Sequence, residues 1–268
     1  MTTAAGSLRR AGGQHRVSLL DVSPAGPVHL ETRQLIEAYR RWWGAAPLTV
    51  DPPLAPTTWA YPGFSSVDIE VAAPLALHPM GDWDPAEEYW REPGEALHPL
   101  YEEEIEAGVR PCFEMEQVLP GVDPDDWDDD PIVHAAQLHR AGHDRDAVRV
   151  LQDLIAADLR CVEAWGHLGL IAFHTRGPGP ALDFYETGVD VAERSLPDGF
   201  GGVLSWGMIG NPPFLRCVHR LALCAWRRRR WADAEAMFTA RAWLDPGGSL
   251  DVLACLEPVR AHQRWTHA

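Results

Sequence analysis

Three histidines, His134, His139 and His143, lie five and four residues apart beside a run of aspartates, the nearest this chain comes to a metal-binding spacing. Two imidazoles four residues apart on one helix can ligate zinc. Gly142 interrupts the helical pattern between His139 and His143, however, which takes them off a common face, and no HExxH occurs. Solvated turn histidines are the better reading. The segment "GVDPDDWDDDP", residues 121–131, has six aspartates but lacks the glycine and closing glutamate of a helix-loop-helix calcium site. It reads as an acidic linker whose last aspartates favour the start of a helix. Nucleophilic chemistry has less support: there is no GxSxG, and Cys217 and Cys224 stand near His219 on helical positions that point apart. Asp82, Asp84, Glu87 and Glu88 in "DWDPAEEYW" are the remaining acid–base candidates. Such runs are usually the wet face of a helix; if the N-terminal region is a small enzyme domain, its site lies there.

One count excludes whole reaction classes. All 23 basic residues are arginine, so Schiff-base catalysis, pyridoxal-phosphate attachment, a Walker A loop and a kinase-type lysine have no lysine to use. No cofactor is expected. The formal charge of −16 argues against nucleic acid or an anionic membrane as partner. No apolar run is long enough to span a bilayer, and the N-terminus has no signal-peptide core. The five cysteines form no CxxC pair and suit a reducing cytoplasm as small hydrophobes. The arginine, alanine and glycine usage points to a GC-rich, bacterial genome.

The elements that must position any site fall into two regions. Sixteen of the 23 prolines lie at or before Pro131, so long helices are rare in the first region. Residues 1–16 are expected to be disordered, and 17–120 to form an irregular α+β or helical unit. It would contain a helix over "LETRQLIEAYRRWWG", a strand around Val67 to Val71, short helices over "DPAEEYW" and "PLYEEEIEAG", and a strand over "RPCFEMEQVLPG". From residue 128 the pattern is helical.

Within the helical region a period is present. Ala181 follows Ala147 by 34 residues, and Tyr185 follows Leu151 by the same step. Trp165, Leu168 and Gly169 precede Ala181 much as Leu221, Ala222 and Ala225 precede Ala234, with Phe238 and Pro246 completing the last unit. This pattern resembles the tetratricopeptide repeat family, helix-turn-helix units of 34 residues with a W-L-G-Y-A-F-A-P signature. The resemblance covers roughly residues 128–248 and implies a mainly α fold, an α-α superhelix of TPR-like hairpins, followed by a capping helix and tail over 249–268. Small residues (Gly169 with Ala181, Ala222 with Ala234) would let paired helices approach, and Trp165, Leu168, Tyr185 and Phe238 would fill the gaps between hairpins. Arg241 departs from the pattern where a small residue is usual. Residues 196–214 are an insertion; its "LSWGMIGNPPFLRC" resembles a loop in a bacterial subgroup of these proteins with no known enzymatic activity. Asn211-Pro212 is a turn or N-cap signal, and Trp206 with Phe214 could plug an inter-hairpin gap.

In stacked hairpins of this type the first helices line a groove. The register places His139, Arg140, Phe173, His174, Arg216, His219, Leu223, Trp226 and Arg227 on it. This cationic, aromatic surface suits an acidic peptide or protein partner, since arginine pairs bidentately with carboxylates. The asparagines of the family's carboxylate clamp are absent from these positions. Of the run Arg227, Arg228, Arg229 and Arg230, the last three span the inter-helix turn and only Arg227 reaches the groove. Protein interaction or assembly is thus the expected function. The alternatives are an N-terminal enzyme domain scaffolded by the repeats, and a groove occupied by the chain itself and purely structural.

Overall fold

The computed structural model describes residues 7–10, 13–16, 72–89, 98–122, 130–197, 200–248 and 252–265. The helix expected over "LETRQLIEAYRRWWG" and the strand at Val67 to Val71 lie outside these residues. Near the N-terminus, β1 (Ser7–Arg10) pairs antiparallel with β2 (Gly13–Arg16). The rest of 1–16, where disorder is expected, lies outside the described residues.

The second strand pair is β3 (Leu77–Trp83) with β4 (Arg110–Met115), antiparallel, with a register shift between Pro79 and Gly81. Between them come α1 (Pro85–Glu88) and α2 (Pro99–Ala107). Both begin on proline, whose missing N–H costs nothing in a first turn, and α2 ends at Gly108 with φ 72°. β3 was not expected: Pro79 and Gly81 break the alternation that marks a strand.

Three consecutive helix pairs follow. They are α3 (Pro131–Arg140) with α4 (Asp144–Ala157), α5 (Val162–Arg176) with α6 (Pro178–Glu193), and α7 (Pro212–Arg227) with α8 (Trp231–Leu244); α9 (Val252–Arg260) packs on α8. Asp130 caps α3, accepting from Ile132 N at 2.7 Å and Val133 N at 3.4 Å. Each first helix also touches the next, α3 on α5 and α5 on α7, which puts the three on one side of the unit. Trp165, Tyr185, Phe214 and Phe238 are fully buried between the pairs, and Trp165 donates to Leu159 O at 2.8 Å. Gly169 permits a close approach: a Cβ there would stand 2.3 Å from the Tyr185 ring. Among the described residues no helix is long and apolar enough to cross a membrane.

The insertion 196–214 is a packed part of the core, with Leu196, Phe200, Val203 and Leu204 buried. Asn211 sits at the N-cap position of α7, but its side chain does not cap. It is fully buried and accepts from Met115 N at 2.8 Å while donating to Phe113 O and Ser205 O, both at 2.9 Å. Val203 also bridges to β4 backbone in parallel register. At the far side, Arg241 and Asp245 form a buried ion pair at 2.7 Å, and Asp245 accepts from Trp206 N at 2.9 Å. Arg241, which departs from the expected pattern, thus holds the carboxylate that accepts from the insertion backbone.

Two predictions follow from these contacts. Asn211→Ala leaves three backbone groups without partners and is expected to cost about 3 kcal/mol or more, measured by denaturant unfolding. At the α7–α8 turn Arg229 has φ 60°, where the first pair has Gly142 at φ 80°. Arg229→Gly is expected to raise stability by about 0.5–1 kcal/mol, visible as an increase of about 2 °C in Tm.

Candidate functional site

A cleft of about 730 Å³ opens on the side formed by α3, α5 and α7. Its walls come from Ile132, Ala135, Ala136, His139 and Arg140 on α3, from Glu163, His167, Leu170, Ile171 and His174 on α5, and from Arg216 and Arg220 on α7. Gln117, Leu119 and Asp130 close one rim, carried there by the segment leaving β4 and by the cap of α3. On α5 the lining residues 163, 167, 170, 171 and 174 recur at three and four, one helical stripe facing one way.

The floor is an ionic group. Glu163 accepts from Arg216 at 2.5 Å and faces His167 Nε2 at 3.3 Å. Burial would push the Glu163 carboxyl up, but the His167 hydrogen bond and the Arg216 and Arg220 guanidinium groups hold it below the usual range. Arg216 also lies 5.1 Å over the Trp206 ring, which fixes its stem from the insertion side. Arg220 donates to Gly166 O at 3.0 Å. At the α3 end, His139 bonds Asp144 at 2.6 Å and His174 at 3.1 Å. The His174 pKa is lowered, first by burial and then by His139 and Arg220. Arg140 is exposed at the mouth. Among the described residues that line the cleft, three arginines and three imidazoles thus converge with two carboxylates, Asp130 and Glu163.

The nine residues expected on the groove separate into four groups. His139, Arg140, His174 and Arg216 line the cleft. Phe173, Trp226 and Arg227 meet at the other end, under the chain's own C-terminal residues. There Trp226 donates to Gln263 O at 2.8 Å, Trp265 packs on Trp226 and Phe173 at 4.9 and 6.5 Å, and Arg227 lies 5.2 Å over Phe173. His219 is on neither surface. It packs edge-on against Phe238 at 5.2 Å, and burial, with Arg241 and Arg220, lowers its pKa to about 3. Leu223 is half-buried and packs against the core rather than lining the cleft. Sequence reasoning missed Glu163, His167 and Arg220. Steps of four and three back from His174, through Leu170 to His167 and Glu163, and a step of four on from Arg216 would have found them.

The other chemical candidates are placed as follows. His139 turns to Asp144 and His174, while His134 and His143 are exposed. Among the described residues no group of three or more His, Cys, Asp or Glu side chains is placed to hold a metal ion. Cys161, Cys217 and Cys224 are buried, and burial pushes all three thiols up, Cys161 and Cys217 to about 12. Asp82, Glu87 and Glu88 are exposed, and Asp84 caps α1 through Ala86 N at 2.8 Å.

A different carboxylate in this region is perturbed. Glu104 on α2 is fully buried against Tyr89, whose hydroxyl also reaches Pro246 O at 3.1 Å after α8. A phenol has one proton to give. If Pro246 O takes it, the Tyr89 oxygen is left to accept, which a protonated Glu104 satisfies. Burial raises the Glu104 carboxyl to about 7, against the opposing effects of the Tyr89 hydrogen bond and the Arg110 guanidinium. Arg110 is itself held between Trp83 and Trp243, at 4.9 and 4.2 Å, and donates to Trp243 O at 2.9 Å. This cluster ties α2 and β4 to the end of α8.

No protein-family model matches this chain, and a search of curated proteins gives no match.

Glu104 supplies a pH prediction. A folded-state pKa of about 7, above the ordinary 4.5, means the native state holds a proton that the unfolded chain has released. Its stabilising effect is complete below pH 4.5 and is lost as pH rises through 7, a decline of about 3 kcal/mol from this group. Thermal melts from pH 4.5 to 8 are expected to show a shallower decline for Glu104→Gln than for the natural chain.

Proposed function

We propose that the cleft is a docking groove for an acidic peptide segment of a protein partner, carried by tetratricopeptide-like helix pairs. The observation that carries this reading is the concentration of Arg140, Arg216, Arg220, His139, His167 and His174 around one opening on a chain of formal charge −16. A local cationic surface on an acidic molecule selects against most of the cell's basic surfaces and speeds encounter with carboxylates. Apolar side chains of Val133, Ala136 and Leu170 at the lining give an extended peptide somewhere to bury aliphatic side chains between its acidic ones. Cytoplasmic residence and a role in assembly belong to the same reading.

The C-terminal contacts favour a second reading of the far end: residues 263–265 already occupy the ground that Phe173, Trp226 and Arg227 offer, so that part of the groove is self-filled and structural. The two readings differ in what truncation does.

Fluorescence anisotropy with a labelled peptide of alternating glutamate and alanine tests both. Docking in the cleft predicts saturable binding, weakened at least tenfold by Arg140→Glu, with little response to the same peptide built on arginine. Removal of residues 263–268 should leave that affinity unchanged. Binding that appears only after truncation would establish the self-filled groove instead, and no binding in either form would overturn the docking reading.

A further inference from the structure

Asp144, His139 and His174 form a chain of hydrogen bonds that ends at the cleft. Asp144 Oδ1 is 2.6 Å from His139 Nδ1, and His139 Nε2 is 3.1 Å from His174 Nδ1. The two rings lie 16° from parallel with centroids 5.4 Å apart, and their facing nitrogens make the contact. This is an edge-to-edge imidazole pair, tied to a carboxylate at one end and exposed at the other.

The protons of such a chain can be counted. A carboxylate only accepts, so His139 Nδ1 carries a hydrogen. The facing nitrogens, His139 Nε2 and His174 Nδ1, share one more. In the neutral chain that proton belongs to His174 Nδ1, and the outer nitrogen of His174, Nε2, is bare and can only accept. One added proton reverses this. Whether the extra charge settles on His139 or on His174, the hydrogen-bonded chain now has a hydrogen on His174 Nε2, which becomes a donor on a cationic group. The charged groups around the pair are Asp144 on α4, Arg140 beside His139 on α3, and Arg220 across the cleft on α7; Glu163 and His167 lie further down α5. Arg220 disfavours the extra proton and Asp144 favours it. An anion entering beside Arg140 would add a second favourable charge.

We propose that the His174 end of the cleft is a proton-linked carboxylate subsite, in which a ligand carboxylate accepts from protonated His174, pairs with Arg140, and is bound with uptake of one proton. The subsite rests on the docking reading above and adds to it a ligand group and a pH dependence. Neutral imidazole presents a lone pair to the carboxylate and repels it, so the same atom rejects the ligand at high pH and holds it at low pH. Carboxylate binding raises the affinity of the pair for its proton, and linkage requires the converse: affinity falls with rising pH across the imidazole range, by up to about tenfold per unit.

The test uses the full-length protein and the glutamate–alanine peptide, with affinity measured at pH 5.5 and pH 8. The natural chain is expected to bind about tenfold or more weakly at pH 8. His174→Gln, a substitution at an exposed position whose folding is checked by circular dichroism, is expected to bind with less than a twofold difference between the two. Imidazole nitrogen NMR should show the His174 titration moving to higher pH when peptide is added, and moving less in Asp144→Asn. Equal pH slopes in the natural chain and His174→Gln would overturn the subsite while leaving the docking reading intact. Absence of binding at both pH values would overturn the docking reading itself.

Discussion

A carboxamide buried away from water must find partners within the protein, because each unmet group costs free energy comparable to a hydrogen bond. Asn211 meets this demand with three backbone groups, Met115 and Phe113 on the distant β4 and Ser205 six residues earlier in the insertion. The positions of β4, the insertion and the first turn of α7 are therefore not independent. Gly210 reinforces the constraint: a Cβ there would lie 1.6 Å from Met115 O, so β4 passes where only glycine leaves room. Everything the cleft takes from α7, Arg216 and Arg220 above all, depends on where this junction starts the helix.

The same junction explains why the insertion is compatible with the helix pairs. Eighteen residues between two hairpins would ordinarily leave α6 and α7 free to separate. Here Val203 joins the β4 backbone, Leu204 N bonds Leu244 O at 2.7 Å, and Asp245 holds Trp206 N from the buried pair with Arg241. A buried ion pair is weak evidence of stability by itself, since desolvation offsets much of its attraction. Its effect here is positional: Trp206 is set above both Arg241 and Arg216, at 5.8 and 5.1 Å, and one of those arginines belongs to the cleft floor.

Helical periodicity made the three pairs legible, because Ala147, Ala181 and Ala234 recur where close packing demands small side chains, and all three are fully buried. The register also placed His139, Arg140, His174 and Arg216. It failed for His219 because a step of three from Arg216 rotates about 60° away from the cleft stripe, enough to bring the ring against Phe238, whereas the step of four reaches Arg220. Trp226 and Arg227 were assigned to an open surface because nothing local announces that residues 263–265 return across α7; that contact joins residues 37 apart. Glu104 was equally hidden. In "YEEEIEAG" it is one acid among several, and only its placement against Tyr89 and Pro246 removes it from water.

The arginine run illustrates how one compositional feature is divided by structure. Arg227 stacks on Phe173, Arg228 closes α7, Arg229 takes the left-handed conformation of the turn, and Arg230 holds Asp233 at 2.7 Å at the start of α8. None of the four lines the cleft, although together they are the densest positive charge in the sequence. The cations that do line it are spaced four apart on α7 or stand alone at the end of α3, and each is inconspicuous in the primary structure. A helical face collects charge from residues separated in sequence, while a turn disperses charge from residues adjacent in sequence. For an acidic chain with no lysine, that difference decides where an anion meets converging donors and where it meets only solvated ones.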